Sequence, residues 1–510
     1  MEVINENKLF EVGGLFPPIK HYQRIKRYRE NKKIFQGHHN DVFKNNMLQG
    51  DRAKDLLYIS VNLAGIICKK SADFLFGEEL SVLAGKGSNS PEQLALNRFM
   101  EENHMNIMLY ENALTNSYAG DTFIKVRYGQ EYAGELPPEI DEPRVIIENV
   151  NPETVFPETV AWDKSKIKIY HIALPIYDEE EKQWYLNVES HKAGIIVYTQ
   201  YTMTPIHYNI DQVPERFEIT GIVEGAGYQV ATGISMPLVV HVPNLSTSDT
   251  WEGMDDLTEI HPLLDEINNR VSQIADILDK HSNPAMAVPS GLLDVDSDGN
   301  AQFRVAYDKV FEVMGKDDVI PQYITWNGQL LEAFQELDRL VDMVLTVAEI
   351  PAVALGKGDS GTSGSSGLAI KWRMNSLLAK VNRKKQYYSK GIKQVFYIAQ
   401  KLEEVLGIAD YSYTTPVLHF QDGLPKDEME QANIMSIRTG GAKTMSQKTA
   451  IMHLNNMTEE QAEVEIQRIK EEEESSMEIA DSGFFNDVEP QEDVIDTFIG
   501  AEKPSQTVAE

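Results

Sequence analysis

Apolar residues recur at spacings of three and four along several stretches, which predicts amphipathic helices. The clearest pattern covers residues 256–282 before Pro284, and a second covers residues 328–350 before Pro351. Proline ends a helix, so both boundaries are well marked. Further helices are predicted at residues 19–34, 52–76, 91–118 and 368–406, and in short pieces over 425–468. Gly77 is predicted to cap one of them in a left-handed conformation.

Between residues 122 and 242 the apolar period changes from 3.6 to 2, the alternation of half-buried strands. Strands are predicted at residues 122–128, 144–150, 167–176, 184–188, 194–201 and 237–242. A later strand at residues 411–420 is predicted to return to this sheet. Helices on both sides of a β-rich region predict an α+β fold with one mixed body domain.

The stretch between the two clearest helices is too short to bury a large core of its own. Strand patterns at residues 287–293 and 302–307 flank an acidic turn that includes Asp294, Asp296, Asp298, Gly299 and Asn300. The spacing imitates a calcium-binding EF-hand loop, but Val305 occupies the twelfth position, where that loop needs a glutamate. We therefore predict an acidic hairpin turn.

A loop of glycine, serine and threonine precedes the longest helical pattern. Its small residues leave it flexible. It includes Gly356, Lys357, Gly358, Asp359, Ser360, Gly361, Thr362, Ser363 and Gly364. From Ser360 to Lys401 there is no Asp or Glu, although the chain has a net charge of −32. The basic residues there include Lys371, Arg373, Lys380, Arg383, Lys384 and Lys385. This pattern predicts contact with a polyanion; a solvated helix face is the alternative.

The helix predicted at residues 19–34 has a basic face as well. Its basic residues are Lys20, Arg24, Lys26, Arg27, Arg29, Lys32 and Lys33. We expect this face to contact phosphate or an acidic neighbouring subunit, or to be solvated.

Composition narrows the class of protein. The single cysteine, Cys68, excludes an intrachain disulfide and a metal site built from cysteines. No window approaches the roughly 18 apolar residues that a membrane span needs, and the first residues lack a secretory pattern. We expect an aqueous, reducing compartment. A pI near 4.8 disfavours nucleic-acid binding over the whole surface. Residues 475–510 are acidic and poor in core residues, which predicts disorder.

The sequence shows no motif typical of an enzyme active site or a metal site. The segment GGAKT at residues 440–444 lacks the glycine spacing of a phosphate-binding loop. His38 and His39 have no third ligand at metal-site spacing, so we predict two surface histidines. We predict no catalytic residue, no cofactor and no metal.

Five short motifs follow one another along the chain. They are NLAGII at residues 62–67, ADFLFG at 72–77, GDTFIKV at 120–126, VNPETVFP at 150–157 and VPNL at 242–245. With these motifs, the helix at residues 260–280 and the loop and helix at 350–406, the sequence resembles the portal proteins of tailed bacteriophages. The similarity is to the family typified by siphophages of Gram-positive hosts, and it covers about residues 20–470.

The resemblance implies a portal fold with named parts. These are a flexible N-terminus (1–16), a mixed α+β wing (17–255), a stem helix (256–282), a small α/β clip (283–327), a second stem helix (328–350), a tunnel loop (351–367), a long tunnel helix with a wing return strand (368–423), a helical crown (424–474) and an acidic tail (475–510).

The resemblance also implies a function. Portal subunits, typically twelve, form a ring at one capsid vertex of the virion, through which double-stranded DNA is packaged and ejected. Assembly takes place in the host cytoplasm, with scaffolding and major capsid proteins, and no membrane is involved. The acidic turn of the clip would dock the terminase large subunit, which hydrolyses ATP, and later the head-completion and adaptor proteins.

The resemblance further implies roles for the candidate residues. The tunnel-loop residues would lie near DNA. The six basic residues that follow would contact DNA or the acidic stem of a neighbouring subunit. Two other functions stay open on sequence alone: an assembly adaptor that binds proteins but not DNA, and a nucleic-acid enzyme with a carboxylate metal site.

Overall fold

The computed structural model describes most of the chain in separate ranges. They are residues 9–43, 58–87, 89–132, 135–209, 212–282, 330–357, 371–421, 423–424, 428–441, 443–455 and 459–481, with the pairs 286–287, 294–295, 301–302 and 322–323. The chain forms two compact units, Met1–Pro425 and Lys426–Glu510.

Seven longer helices belong to the first unit. They are α1 (Ile19–Phe35), α2 (Leu63–Phe76), α3 (Pro91–Glu102), α4 (Met105–Ala119), α5 (His261–Ser282), α6 (Leu330–Val347) and α7 (Asn375–Leu406). Each was predicted, but α2, α5 and α7 begin later than expected. A short 3₁₀ turn, Thr258–Ile260, precedes α5. Residues 58–62 are not helical, because Asn62 caps α2 by accepting a hydrogen bond from Gly65 N at 2.8 Å.

The prediction of a left-handed cap at Gly77 is wrong. Gly77 does end α2, but its φ of −70° is right-handed. A Cβ there would lie 2.3 Å from the carbonyl oxygen of Asp73. The close approach of the backbone, rather than a special dihedral angle, therefore requires glycine.

Antiparallel strands form the rest of the body. They are β1 (Leu15–Phe16), β2 (Ser81–Leu83), β3 (Asp121–Gly129), β4 (Arg144–Val150), β5 (Val155–Val160), β6 (Asp163–Asp178), β7 (Gln183–Lys192), β8 (Ile195–Tyr208), β9 (Pro214–Ile222), β10 (Tyr228–Ala231) and β11 (Val239–Pro243). One seven-stranded sheet has the order β1-β9-β8-β7-β6-β5, with β10 paired to β8. A second sheet has the order β11-β3-β4.

The strand predicted at residues 411–420 is shorter and lies elsewhere. Only Val417–His419 is a strand, and it pairs with β2 in a ladder of its own rather than joining a large sheet.

The two helices predicted as stems lie side by side and antiparallel. Arg270 of α5 and Glu336 of α6 form an ion pair at 3.1 Å, and the 3₁₀ turn before α5 lies near the end of α6. Their inner faces continue into the main core, which also includes α2, α4 and α7. Most of the apolar stripe on each helix is thus used within the chain, although Leu278 and Phe334 stay exposed.

Between α5 and α6, four short strands are described. Asp294–Val295 pairs with Ala301–Gln302, and Met286–Ala287 pairs with Gln322–Tyr323. The first pairing agrees with a hairpin here, but Asp294, which was predicted in the turn, lies in the strand instead. Asp296, Asp298, Gly299 and Asn300 lie outside the described residues.

The second unit is helical, as predicted. Its helices are α8 (Glu428–Thr439), α9 (Gln447–Asn455) and α10 (Glu459–Asp481). The prediction of disorder from residue 475 is wrong as far as residue 481, because α10 continues through glutamates, which are good helix formers. Residues 482–510 lie outside the described residues.

Candidate functional site where the long helices meet the body

Two of the predicted basic residues face one buried carboxylate. Lys380 and Lys384 lie one turn apart on α7, and both are less than a tenth exposed. Lys380 Nζ is 3.1 Å from Asp256 Oδ1, and Lys384 Nζ is 2.5 Å from Asp256 Oδ2. Asp256 ends the loop that precedes α5.

Other groups complete the bonding of this cluster. Ser117 Oγ and Asn244 Nδ2 both donate to Asp256, the latter at 3.0 Å. Lys380 also donates to the carbonyl oxygen of Ala348 at 3.0 Å, and Lys384 donates to Ser71 Oγ at 2.6 Å. The cluster thereby joins α2, α4, the residue after α6, the loop before α5 and the first third of α7.

Burial and charge oppose each other at Asp256. Burial alone would raise the pKa of this carboxyl, but the ammonium groups of Lys380 and Lys384 hold it well below its usual range. Burial also lowers the pKa of Lys384, an effect that Asp256 partly offsets. Two lysines against one aspartate leave a buried charge of about +1, so the cluster depends on its hydrogen bonds.

A small cavity of about 130 Å³ adjoins the cluster. Its lining includes Asn244, Glu349 and Arg383. The Oδ1 atom of Asn244 is buried without a hydrogen-bond partner in the described part of the chain. Arg383 is exposed and forms an ion pair with Glu349, which follows α6 and has a φ of +59°.

The sequence assigned contact with DNA, or with a neighbouring stem, to the basic residues of α7. Neither role accounts for Lys380 and Lys384, because both are buried and bonded inside this chain. An acidic body needs internal counter-charges, and these two lysines supply them. Lys385 donates to the carbonyl oxygen of Gln421 at 2.6 Å. Lys371 and Arg373 are exposed just before α7 begins.

Only the beginning of the predicted tunnel loop is described. Ala352–Leu355 forms a 3₁₀ turn that Gly356 ends with a φ of +71°. Lys357 follows and is exposed. The remaining loop candidates lie outside the described residues: Gly358, Asp359, Ser360, Gly361, Thr362, Ser363 and Gly364.

A second buried carboxylate, Asp121, lies in the motif GDTFIKV. It accepts hydrogen bonds from Tyr28 Oη, from His241 Nε2 at 2.7 Å and from Gly253 N at 2.7 Å. The preceding Gly120 has a φ of +87°, and a Cβ there would lie 2.6 Å from the carbonyl oxygen of Gly253. This motif is therefore explained by packing between strands and loop.

The arginines of α1 also bond inside the chain. Arg24 is buried and donates to the carbonyl oxygens of Pro152 and Val155, at 3.1 and 2.7 Å. Arg27 pairs with Glu252 and Arg29 with Glu153. The predicted phosphate contact therefore does not describe these three arginines.

The prediction that His39 is a surface histidine is wrong. Its ring is fully buried, with Nδ1 bonded to Asn268 Nδ2 at 2.8 Å and Nε2 near the carbonyl oxygen of Ile34 at 3.1 Å.

Sequence reasoning missed the acceptor at the centre of the site. The sequence pattern marks Asp256 only as the start of a helix, and Ser71 and Ser117 carry no signal. Asn244 lies in the motif VPNL, and its role in holding Asp256 explains that motif in part. A signal did exist: two lysines spaced by four, in a stretch without Asp or Glu, favour an anion opposite them.

Two further observations concern the described ranges alone. Within them, no group of three or more His, Cys, Asp or Glu side chains is placed to hold a metal ion. Among the helices described, none combines the length and the apolar character needed to cross a bilayer.

Comparison with known proteins gives one family. The family model described as "Phage portal protein, SPP1 Gp6-like" matches residues 19–478. That match covers most of the 510 residues. No curated protein matches the chain.

Proposed function

The chain belongs to the phage portal proteins of the SPP1 Gp6-like family, and from this premise we propose that its copies form a closed ring at one capsid vertex. In this proposal the ring has about twelve subunits and encloses the channel through which double-stranded DNA is packaged and ejected. The observation that carries the proposal is the family match from residue 19 to residue 478.

The cluster around Asp256 supports this function physically. A channel that transmits DNA needs its lining helix fixed to the helices that frame it. Lys380 and Lys384 bond α7 to the loop before α5 and to Ala348 after α6. The cluster holds these three helices in one geometry at the level of the channel.

The DNA-proximal charges in our proposal are the exposed ones beside the tunnel loop. They are Lys357, Lys371 and Arg373. A few local cations on an otherwise acidic protein let DNA slide, because strong binding needs many phosphate contacts with release of counterions. The protein thus guides DNA and performs no catalysis itself; ATP hydrolysis belongs to the terminase.

The hairpin that contains Asp294 is our candidate for docking the terminase and, later, the head-completion and adaptor proteins. It lies between α5 and α6, at the far end of that helix pair from the Asp256 cluster. A pair of helices is a rigid support for a docking hairpin.

Native mass spectrometry of the purified protein, with negative-stain microscopy of the same sample, tests assembly. We expect one dominant closed oligomer of about twelve subunits. A variant that ends at residue 481 should assemble equally well, because the tail plays no part in the ring. A monomer at every concentration would contradict the proposal.

The same purified protein can be tested for metal-dependent nuclease activity. Incubation with DNA and Mg²⁺ or Mn²⁺ should leave the DNA intact. If the DNA is cleaved, and one Asp or Glu substitution abolishes the cleavage, the protein is a metal-dependent nuclease and the proposed conduit is contradicted.

A further inference from the structure

The strand β6 has opposite charges at its two ends. At its start, the turn of residues 161–162 is followed by Lys164, Lys166 and Lys168, all exposed. Trp162 in that turn is 88% exposed, which is rare for so large an apolar side chain. After its end, the hairpin to β7 has four consecutive acids, Asp178, Glu179, Glu180 and Glu181. The basic end and the acidic end belong to one continuous element.

The two ends are far apart. β6 has 16 residues, so they are separated by ~50 Å at ~3.4 Å per residue. A single copy therefore cannot bring them into contact, and each is available to another molecule.

Exposed apolar side chains accompany the acidic end. β6 and β8 run in the same direction, because each is antiparallel to β7. The β6–β7 and β8–β9 hairpins therefore lie at the same end of the strands. The exposed apolar residues at this end are Ile176, Tyr177, Ile206, Tyr208 and Val213.

Local bonding leaves both ends charged. At the basic end Lys166 pairs with Asp163 at 3.0 Å and Lys168 lies near Glu158, which leaves about one positive charge. At the acidic end Asp178 Oδ1 accepts hydrogen bonds from the backbone N of Glu180 and Glu181, at 2.8 and 2.9 Å, which fixes the hairpin. Lys182 offsets one of its four acids.

We propose that the basic end of β6 in one copy docks on the acidic end of β6 in the next copy, with Trp162 packed on the apolar residues beside the acidic hairpin. The inference rests on the proposed ring, because a heterologous, head-to-tail contact is the kind that closes one. Charge complementarity sets the register of such a contact. Trp162, which becomes buried when the two copies meet, supplies most of the affinity.

A second copy fits these patches better than DNA does. DNA would use the basic end alone and would meet a protein of net charge −32. A second copy uses both ends, and both an aromatic anchor and an apolar surface to receive it occur in the same sheet.

Charge reversal at each end, followed by their combination, tests the contact. We expect the variant K164E/K168E to lose at least ten-fold in ring fraction by native mass spectrometry at low salt, and E179K/E180K to do the same. The fourfold variant K164E/K168E/E179K/E180K has the wild-type net charge and should regain rings. The control K69E/K443E changes two other exposed lysines and should assemble normally.

Cysteine cross-linking tests the orientation. Cys68 is buried, and burial raises the pKa of its thiol to about 12, so its background reactivity is low. Under oxidation the variant K164C/E180C should give a ladder of covalent oligomers. The single variants K164C and E180C should give none, because like ends do not meet.

The possible results separate a failure of the head-to-tail contact from a failure of the proposed ring. If wild-type rings form and neither reversal weakens them, the head-to-tail contact is wrong while the portal function stands. Cross-linking of either single variant would mean that like ends meet and would overturn it too. Rings of K164E/K168E that assemble normally but lose affinity for labelled duplex DNA would reassign the basic end to nucleic acid. A wild-type protein that forms no rings contradicts the proposed function itself.

Discussion

Gly391 shows how a single residue sets the distance between two elements. It lies in the middle of α7, where alanine would ordinarily be the better helix former by about 1 kcal/mol. A Cβ at this position would lie 2.6 Å from Cγ2 of Val242, a fully buried residue of β11. The missing side chain is therefore what allows α7 to pack against the sheet.

We predict that Gly391→Ala destabilises the protein by about 1–2 kcal/mol, because overpacking outweighs the gain in helix propensity. The urea midpoint measures the change. In a Val242→Ala background, where the clash is relieved, the same substitution should be neutral or stabilising. Equal effects in both backgrounds would show that the contact does not matter.

The buried ring of His21 leads us to predict how the stability of the fold depends on pH. Burial, with Arg24 and Lys20 nearby, lowers the pKa of its ring from 6.5 to about 3. Between these two pH values the unfolded chain binds the proton and the folded chain does not, so stability falls as pH decreases. The slope is at most about 1.4 kcal/mol per pH unit for one such histidine.

Comparing His21→Gln with the wild type between pH 7 and pH 5 tests this. The variant should lose less stability than the wild type over that range, whatever its stability at pH 7. Parallel curves for the wild type and the His21 variant would contradict the assignment.

At the scale of elements, Asp256 decides how α5, α6 and α7 are joined. We predict that Asp256→Asn costs about 3–5 kcal/mol of stability, because it leaves two buried ammonium groups without their anion. Lys384→Met should cost less, since one lysine then still faces one aspartate. Chemical denaturation measures both.

The exposed pair of Arg383 and Glu349 provides the control. Glu349→Gln should cost less than about 1 kcal/mol, since solvent screens such pairs. The pKa of Asp256 is depressed in the folded state, so its stabilising effect is present above the pKa of an unfolded aspartate and is lost as pH falls below it. If Asp256→Asn is no worse than Glu349→Gln, the cluster does not hold the helices.

Periodicity was sufficient for the long elements and insufficient for what joins them. It predicted α1 to α7 and six strands of the two large sheets, because each buries one face. It missed β5, where Pro157 and Glu158 interrupt the pattern, and β9, although Phe217 and Ile219 alternate there as a strand requires. The partners of Lys384 lie outside the reach of local patterns, since Asp256 is 128 positions away in sequence.

At the scale of the whole molecule, the distribution of charge matters more than its sum. Buried or paired cations such as Lys380, Lys384 and Arg24 hold the acidic body together. The exposed cations near the predicted channel are few. A protein of this kind repels DNA over most of its surface and offers it contact at isolated points, which suits a passage rather than a binding site.

Cryo-electron microscopy of the assembled protein tests the proposed conduit. We expect a closed ring with an open axial channel, in which Lys357, Lys371 and Arg373 of every subunit face the lumen at its narrowest level. The Asp256 cluster should lie behind them, away from DNA. A stable monomer, or a ring whose lumen is lined by other elements, would contradict the proposed conduit.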